Sequence, residues 1–222
     1  MGLRSLSPLE ARVLGVLIEK AHTVPDSYPL SLNSLTLGCN QKTARAPVIN
    51  AAEPEVQMAV DALKGLNLAF ESSGSRVTRY EHNLGRTLAL PSQSVALLAV
   101  LMLRGPQTAS ELRINCERLH RFADLSAVEG FLEELATRAQ DKGGPLVIKL
   151  ARQPGAREQR WAHLLCGAVD PGVSAATSDS ADFVATGEIV ALKAQHAAMQ
   201  TDVSELRRLV DKLYAELGVA RP

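Results

Sequence analysis

Two eleven-residue stretches, GSRVTRYEHNL (74–84) and GAREQRWAHLL (155–165), hold the side chains with the most readable chemistry in this chain. Each sets two arginines, an aromatic ring and a histidine in the order G-x-R-x-x-R-aromatic-x-H-x-L. Arg76 and Arg157 fall at the tip of a predicted hairpin, and Arg79 and Arg160 on its second strand, facing away from Tyr80 and Trp161. Guanidinium groups so placed can grip the phosphates of nucleic acid or enter a minor groove. A solvated strand whose arginines pair with Glu81 or Glu158 would show the same residues. A third stretch, CNQKTARAPVIN (39–50), brings Gln41, Lys42, Thr43 and Arg45 together just before a predicted helix. If that helix is the recognition helix of a helix-turn-helix, Lys42, Thr43 and Arg45 lie where phosphates pass, and Gln41 and Asn40 can supply further polar contacts. An extended linker packing Val48 and Ile49 on the core would also use this composition.

Other chemistries find less support. Tyr80 and Trp161 are expected in the core, with His82 and His163 partly buried beside them. Cys39, Cys116 and Cys166 are odd in number and far apart, and no His, Cys and carboxylate group stands at ligand spacing, so no metal is expected. There is no G-x-S-x-G elbow, phosphate loop or dinucleotide fingerprint. The carboxylates sit at caps and on helix faces. No catalytic residue and no cofactor are assigned, and the chain is read as a non-enzyme.

The elements that must position these residues repeat. The two arginine stretches match at a fixed offset of 81, which marks a duplicated module. Ser7-Pro8-Leu9-Glu10 is a capping box that opens an apolar run through Val13, Leu14, Leu17 and Ile18, and a counterpart starts near Ser92. Further boxes are read at Thr108–Glu111 and Ser126–Glu129. Helices over 31–39 and 53–66 complete the first half, and Val56, Val60 and Leu63 align with Val128, Leu132 and Leu135 on one face. Each half then turns to a strand, a glycine turn and a second strand. Three helices and a hairpin are the order of a winged helix. The fold class expected is therefore α+β, mostly α: two tandem winged-helix modules, over 1–88 and 89–166, each with its own core.

Residues 167–185 are small, polar and punctuated by Pro and Gly, as in a flexible linker. Over 186–218 a heptad seam follows, with Ile189, His196, Val203 and Val210 at a and Leu192, Met199, Leu206 and Leu213 at d. That pattern predicts a parallel coiled-coil homodimer; an amphipathic helix folded back on the body is the alternative.

Composition narrows the function classes. The apolar content of 46% and charged content of 22% fit a globular chain, and 4% aromatics leave the core to Leu, Val and Ala. Net charge is zero, so no global field draws the chain to nucleic acid. The N-terminus lacks the apolar core of a secretory signal and no run approaches a membrane span, which predicts a cytoplasmic protein with no membrane partner. Glu53, Glu55 and Asp61 against Lys64, and Glu129, Glu133 and Glu134 against Arg138, make both presumed recognition helices acidic. Phosphates repel such helices. Two partners therefore stay in play: DNA, or a protein captured by an adaptor on the same fold.

SPLEARVLG (7–15), YPLSLN (28–33), CNQKT (39–43) with Arg45, Pro47 and Val48, and both arginine motifs make the chain resemble the YceH-like family of uncharacterised bacterial proteins. The resemblance runs over nearly the whole length. It implies tandem winged helices and a helical C-terminus, and it implies no activity. Ala44 and Ala46 depart from the family pattern, where larger polar residues stand.

Overall fold

The computed structural model describes residues 3–72 and 77–169. Arg76 and all eight heptad residues named above lie outside them. The described residues form one mixed α+β unit, in which the same order of elements occurs twice.

In the first half, α1 (Pro8–Thr23) begins at Ser7. Its hydroxyl accepts from the Glu10 N–H at 3.1 Å while the Glu10 carboxylate accepts from the Ser7 N–H at 2.8 Å. This satisfies two of the amides that a helix start leaves open. β1 (Leu30–Ser31), α2 (Leu32–Cys39), α3 (Glu53–Gly65), β2 (Ala69–Ser72) and β3 (Arg79–His82) follow. The strands form an antiparallel sheet in the order β1-β3-β2, with Leu30 opposite Tyr80 and Glu71 opposite Tyr80 on the other side. A short α4 (Leu84–Thr87) leads to the second half: α5 (Ser92–Arg104), α6 (Ala109–Asn115), α7 (Leu125–Ala136), β4 (Val147–Lys149) and β5 (Trp161–His163). Here the place of β1 is taken by a single bridge, Gln107 to Trp161.

Three details depart from the sequence reading. The two-residue β1 and the one-turn α4 are too short to leave a periodic signal. The cap of α7 is Asp124, whose carboxylate accepts from the Ala127 N–H at 2.8 Å, so the helix starts ahead of the Ser126 box. The two halves also share a core. Residues Glu10–Ile18 of α1 and Ser94–Leu103 of α5 are buried without interruption, as happens only when a helix is covered on all sides. Gly15 permits the closest approach, since a Cβ there would lie 3.0 Å from the Leu103 side chain. One apolar cluster joins Leu14, Val60 and Tyr80 to Leu98, Leu132 and Trp161. Interior packing of this density passes strain between its members, so the halves are mechanically one body.

The aligned triplets Val56, Val60, Leu63 and Val128, Leu132, Leu135 all point inward, as their spacing predicts. The rings of Tyr80 and Trp161 are buried too. Among the described residues no helix is long and apolar enough to cross a membrane.

Candidate nucleic-acid interface

The segment from Asn40 to Ala52, joining α2 to α3, is tied down from three sides. Asn40 holds it as a loop: its side-chain amide donates to Ala51 O at 2.9 Å and its Oδ1 accepts from Ala51 N at 2.8 Å. From α1, Arg12 reaches beneath it and donates to Cys39 O at 3.1 Å and Pro47 O at 2.6 Å. From the second half, Leu103 O at the end of α5 accepts from Ala46 N at 2.8 Å.

Arg45, expected beside phosphates, faces the interior and is buried. Its guanidinium forms a two-pronged pair with Glu19 of α1 at 3.1 and 2.6 Å, while Nε donates to Gly38 O at 3.1 Å and Nη1 to Ala44 O at 2.9 Å. Turning inward is the favourable solution because every donor finds an acceptor there. Burial alone would raise the Glu19 pKa, but the hydrogen bonds and charge of Arg45, aided by Lys20, outweigh it and hold the carboxyl below its ordinary range. Gln41 is half-buried and accepts from Lys20 Nζ at 3.3 Å while donating to Thr43 Oγ1 at 3.2 Å. Lys42 and Thr43 are exposed. Ile49 packs on the core; Val48 does not.

The strand arginines act as latches. Arg79 donates to Pro29 O at 2.8 Å, and Arg160 donates to Pro106 O at 3.0 Å, so each pins β3 or β5 to the turn after the first helix of its half. Arg160 also meets Glu111 at 3.4 Å. Neither pairs with Glu81 or Glu158; Glu158 instead accepts from Ser110 at 3.0 Å. Arg157 is exposed near the tip of the second hairpin, beside Gly155 at φ +82°. Of the eight residues nominated from sequence, Lys42, Thr43 and Arg157 are thus exposed, Gln41, Arg79 and Arg160 are half-buried in local bonds, Arg45 is internal, and Arg76 lies outside the described residues.

Burial pulls His82 and His163 down to a pKa of about 4, with the charge of His22 adding to the effect at His82. Their Nδ1 atoms are buried without a hydrogen-bond partner among the described residues. Both rings are therefore neutral near pH 7. Burial raises the thiols of Cys39 and Cys116 to about 12, so neither is poised as a nucleophile.

The end of α6 and the segment joining it to α7 carry what the sequence reading overlooked. Arg113, Arg118 and Arg121 are all exposed, and among the described residues none meets a hydrogen-bond acceptor or a carboxylate. Arg113 and Arg121 line one recess with Ile114, Glu117, Phe122 and Ala123. A signal was available. Leu35, Leu37 and Cys39 match Leu112, Ile114 and Cys116 at an offset of 77, which makes 117–124 the counterpart of the Asn40–Ala52 loop. Leu37 and Ile114 confirm the equivalence by being 67% and 68% exposed at matching positions.

The comparisons with known proteins agree on one group. A family model described as "Protein of unknown function, DUF480" matches residues 6–156. A UPF0502 protein of Burkholderia multivorans is 61% identical over 98% of this chain and 91% of its own length. UPF0502 proteins of Burkholderia cenocepacia and Burkholderia pseudomallei are 58% and 59% identical over the same shares. Matching along two thirds of its length to the family model and nearly end to end to these relatives, the chain belongs to the DUF480 (UPF0502) family of bacterial proteins.

Proposed function

We propose that the chain is a cytoplasmic, non-enzymatic nucleic-acid-binding protein with a role in transcriptional regulation, built from two winged-helix modules and joined as a homodimer by its C-terminal heptads. The observation that carries this reading is the set of exposed arginines on the second module. Arg113 at the end of α6, Arg118 and Arg121 on the α6–α7 connection and Arg157 on the hairpin occupy the elements that a winged helix turns toward a nucleic-acid backbone. The order of three helices and a hairpin, present twice, supports the module assignment.

The acidic helices define how the contact is made. On α3, Glu53, Glu55 and Asp61 are exposed, and Lys64 is occupied by Asp61 and Glu71. On α7, Glu133 pairs with Lys149 at 3.7 Å. Neither helix favours a deep seat in a groove, so binding rests on phosphates held by the connection and the hairpin. Such contacts position the protein and read little sequence.

Titration of a labelled duplex with the full chain at two salt concentrations tests this. Replacing Arg113, Arg121 or Arg157 with Ala should weaken binding about equally for unrelated sequences and lower the salt slope by roughly one per contact. Absence of binding at low salt would remove the nucleic-acid reading. The adaptor reading then leads, favoured by one observation: Leu37 and Ile114, with Met58 of α3 at 65% exposure beside the acidic residues, give each module an apolar point on its helical face.

A further inference from the structure

The loop between α2 and α3 gathers more positive charge than its immediate surroundings balance. Arg12 and Arg45 are buried, Lys20 is half-buried and Arg104 is exposed at the end of α5. They come together because Arg45 and Lys20 both bond Glu19, Arg12 bonds the start of the loop at Cys39 O and its middle at Pro47 O, and Ala46 ties the loop to Leu103, next to Arg104. The charges feel one another: burial first and the charge of Arg45 second weaken the hold of Arg12 on its proton, and at Arg104 burial leads while the charge of Glu19, acting the other way, counts for more than that of Arg45. Glu19 is the only carboxylate among the described residues that meets this group. The carbonyls at the ends of α1 and α5 offset part of the remainder. Those of Lys20 and Leu103 are already taken by Val24 N and Ala46 N. Four cations against one carboxylate in a partly desolvated place leave a charge that buried groups normally do not carry unpaired.

We propose that this junction between the two halves binds a phosphoryl anion, held directly by Lys20 and Arg104 and stabilised by the field of Arg45 and Arg12, with Gln41 and Thr43 at its edge. The donors decide the roles. Arg45 has its guanidinium spread over Glu19, Gly38 O, Ala44 O and Gln41, so it supplies charge and not a contact. Lys20 uses two of its three donors, on Glu19 and Gln41, which leaves one. Arg104 meets no acceptor among the described residues, and its planar fork suits two phosphate oxygens at once. Arg12 Nε also lacks a partner. The site uses none of the arginines at the end of α6 and on the α6–α7 connection and stands or falls independently of them.

A phosphoryl group could come from a nucleic-acid backbone or from a free phosphorylated compound, and inorganic phosphate serves as the probe for both. Titration calorimetry of the full chain with inorganic phosphate, at constant ionic strength and slightly alkaline pH, should give saturable binding. Saturation separates it from the general stabilisation that phosphate gives proteins by exclusion from their surfaces. Arg104→Gln removes an exposed side chain that braces nothing, so it should fold as the wild type does and weaken phosphate roughly tenfold or more. Lys20→Gln provides a second variant with the same expectation. A labelled duplex, titrated in parallel, identifies the source. Lower duplex affinity in Arg104→Gln together with competition by phosphate assigns the site to backbone phosphates. Unchanged duplex affinity with lost phosphate binding assigns it to a free compound. If Arg104→Gln alters neither titration, the proposal is wrong.

Discussion

The two loops that join the second and third helices of each half occupy the same place in the repeat and have opposite characters. In the first half Val56 stands 17 positions after Cys39; in the second, Val128 stands 12 positions after Cys116. The longer loop turns its arginine inward onto Glu19 and is stitched to α1, to α5 and to itself. The shorter one leaves both of its arginines, Arg118 and Arg121, in solvent. The difference teaches that basic composition does not define a surface. A guanidinium goes where its donors are met, and the extra residues of the first loop bring enough backbone carbonyls and one carboxylate within reach to meet them. The surplus of charge created by that inward turn is then what makes the junction attractive to an anion.

The sharpest way to break this contrast is to remove the acceptor. Glu19→Gln should leave Arg45 buried without its carboxylate and destabilise the fold by about 3–5 kcal/mol in urea unfolding at neutral pH. Arg121→Gln on the open loop should change stability by no more than about 0.5 kcal/mol. Similar small losses at both positions would mean that the pair with Glu19 is not what secures the loop. The stabilisation has a pH signature too. Because folding holds the Glu19 carboxyl below its ordinary range, its contribution is complete above the unfolded pKa and is lost as pH falls through the lower folded value.

A second test asks whether the halves are as alike in their hairpins as they are unlike in their loops. His82 and His163 sit at equivalent positions, both with a folded pKa of about 4 against an ordinary 6.5. A depressed pKa means that the unfolded chain binds the proton first. Stability should therefore be full above about pH 6.5 and fall toward pH 4, by about 1.4 kcal/mol per pH unit for each histidine. His82→Gln should halve the part of that slope that lies between pH 6.5 and 4.5, as measured by the urea midpoint. A slope that does not change would separate the two histidines and end the equivalence.

The smallest expected effect concerns the strain of the longer loop. Ala44 stands at φ +58°, a conformation that glycine adopts more readily than alanine. Ala44→Gly should be nearly neutral or stabilise by up to about 1 kcal/mol, because relief of that strain competes with greater freedom of the unfolded chain. A clear loss would show that the Ala44 methyl contributes packing of its own.

What the sequence made legible was local. Ser7 and Thr108 announced their helices through side chains that bond amides three residues away, and the Val56 and Val128 triplets announced their faces by spacing alone. The core rings Tyr80 and Trp161 followed from strand alternation. The fate of Arg45 did not, since its partner lies 26 residues back on α1 and nothing in CNQKTARAPVIN distinguishes an arginine aimed at solvent from one aimed at Glu19. The latches of Arg79 and Arg160 were hidden for a similar reason: their acceptors are backbone carbonyls, which every residue has. The exposed arginines ahead of α7 are hidden by a shift within the repeat: the hairpins match at an offset of 81 and the second helices at 77, so the hairpin register does not bring these arginines opposite the first loop.

The contact between α1 and α5 at Gly15 has a consequence for recognition at a distance. Repeats strung on a flexible tether search for two sites one after the other, and the tether sets the effective concentration of the second encounter. Here the two repeats are welded through their first helices, so the gap between their outer faces works as a caliper. Under the function proposed above, a target whose features match that gap would meet both repeats with no further loss of orientational freedom, and a mismatched target would meet only one. Selectivity can then arise from spacing alone, even where no single contact distinguishes one target from another.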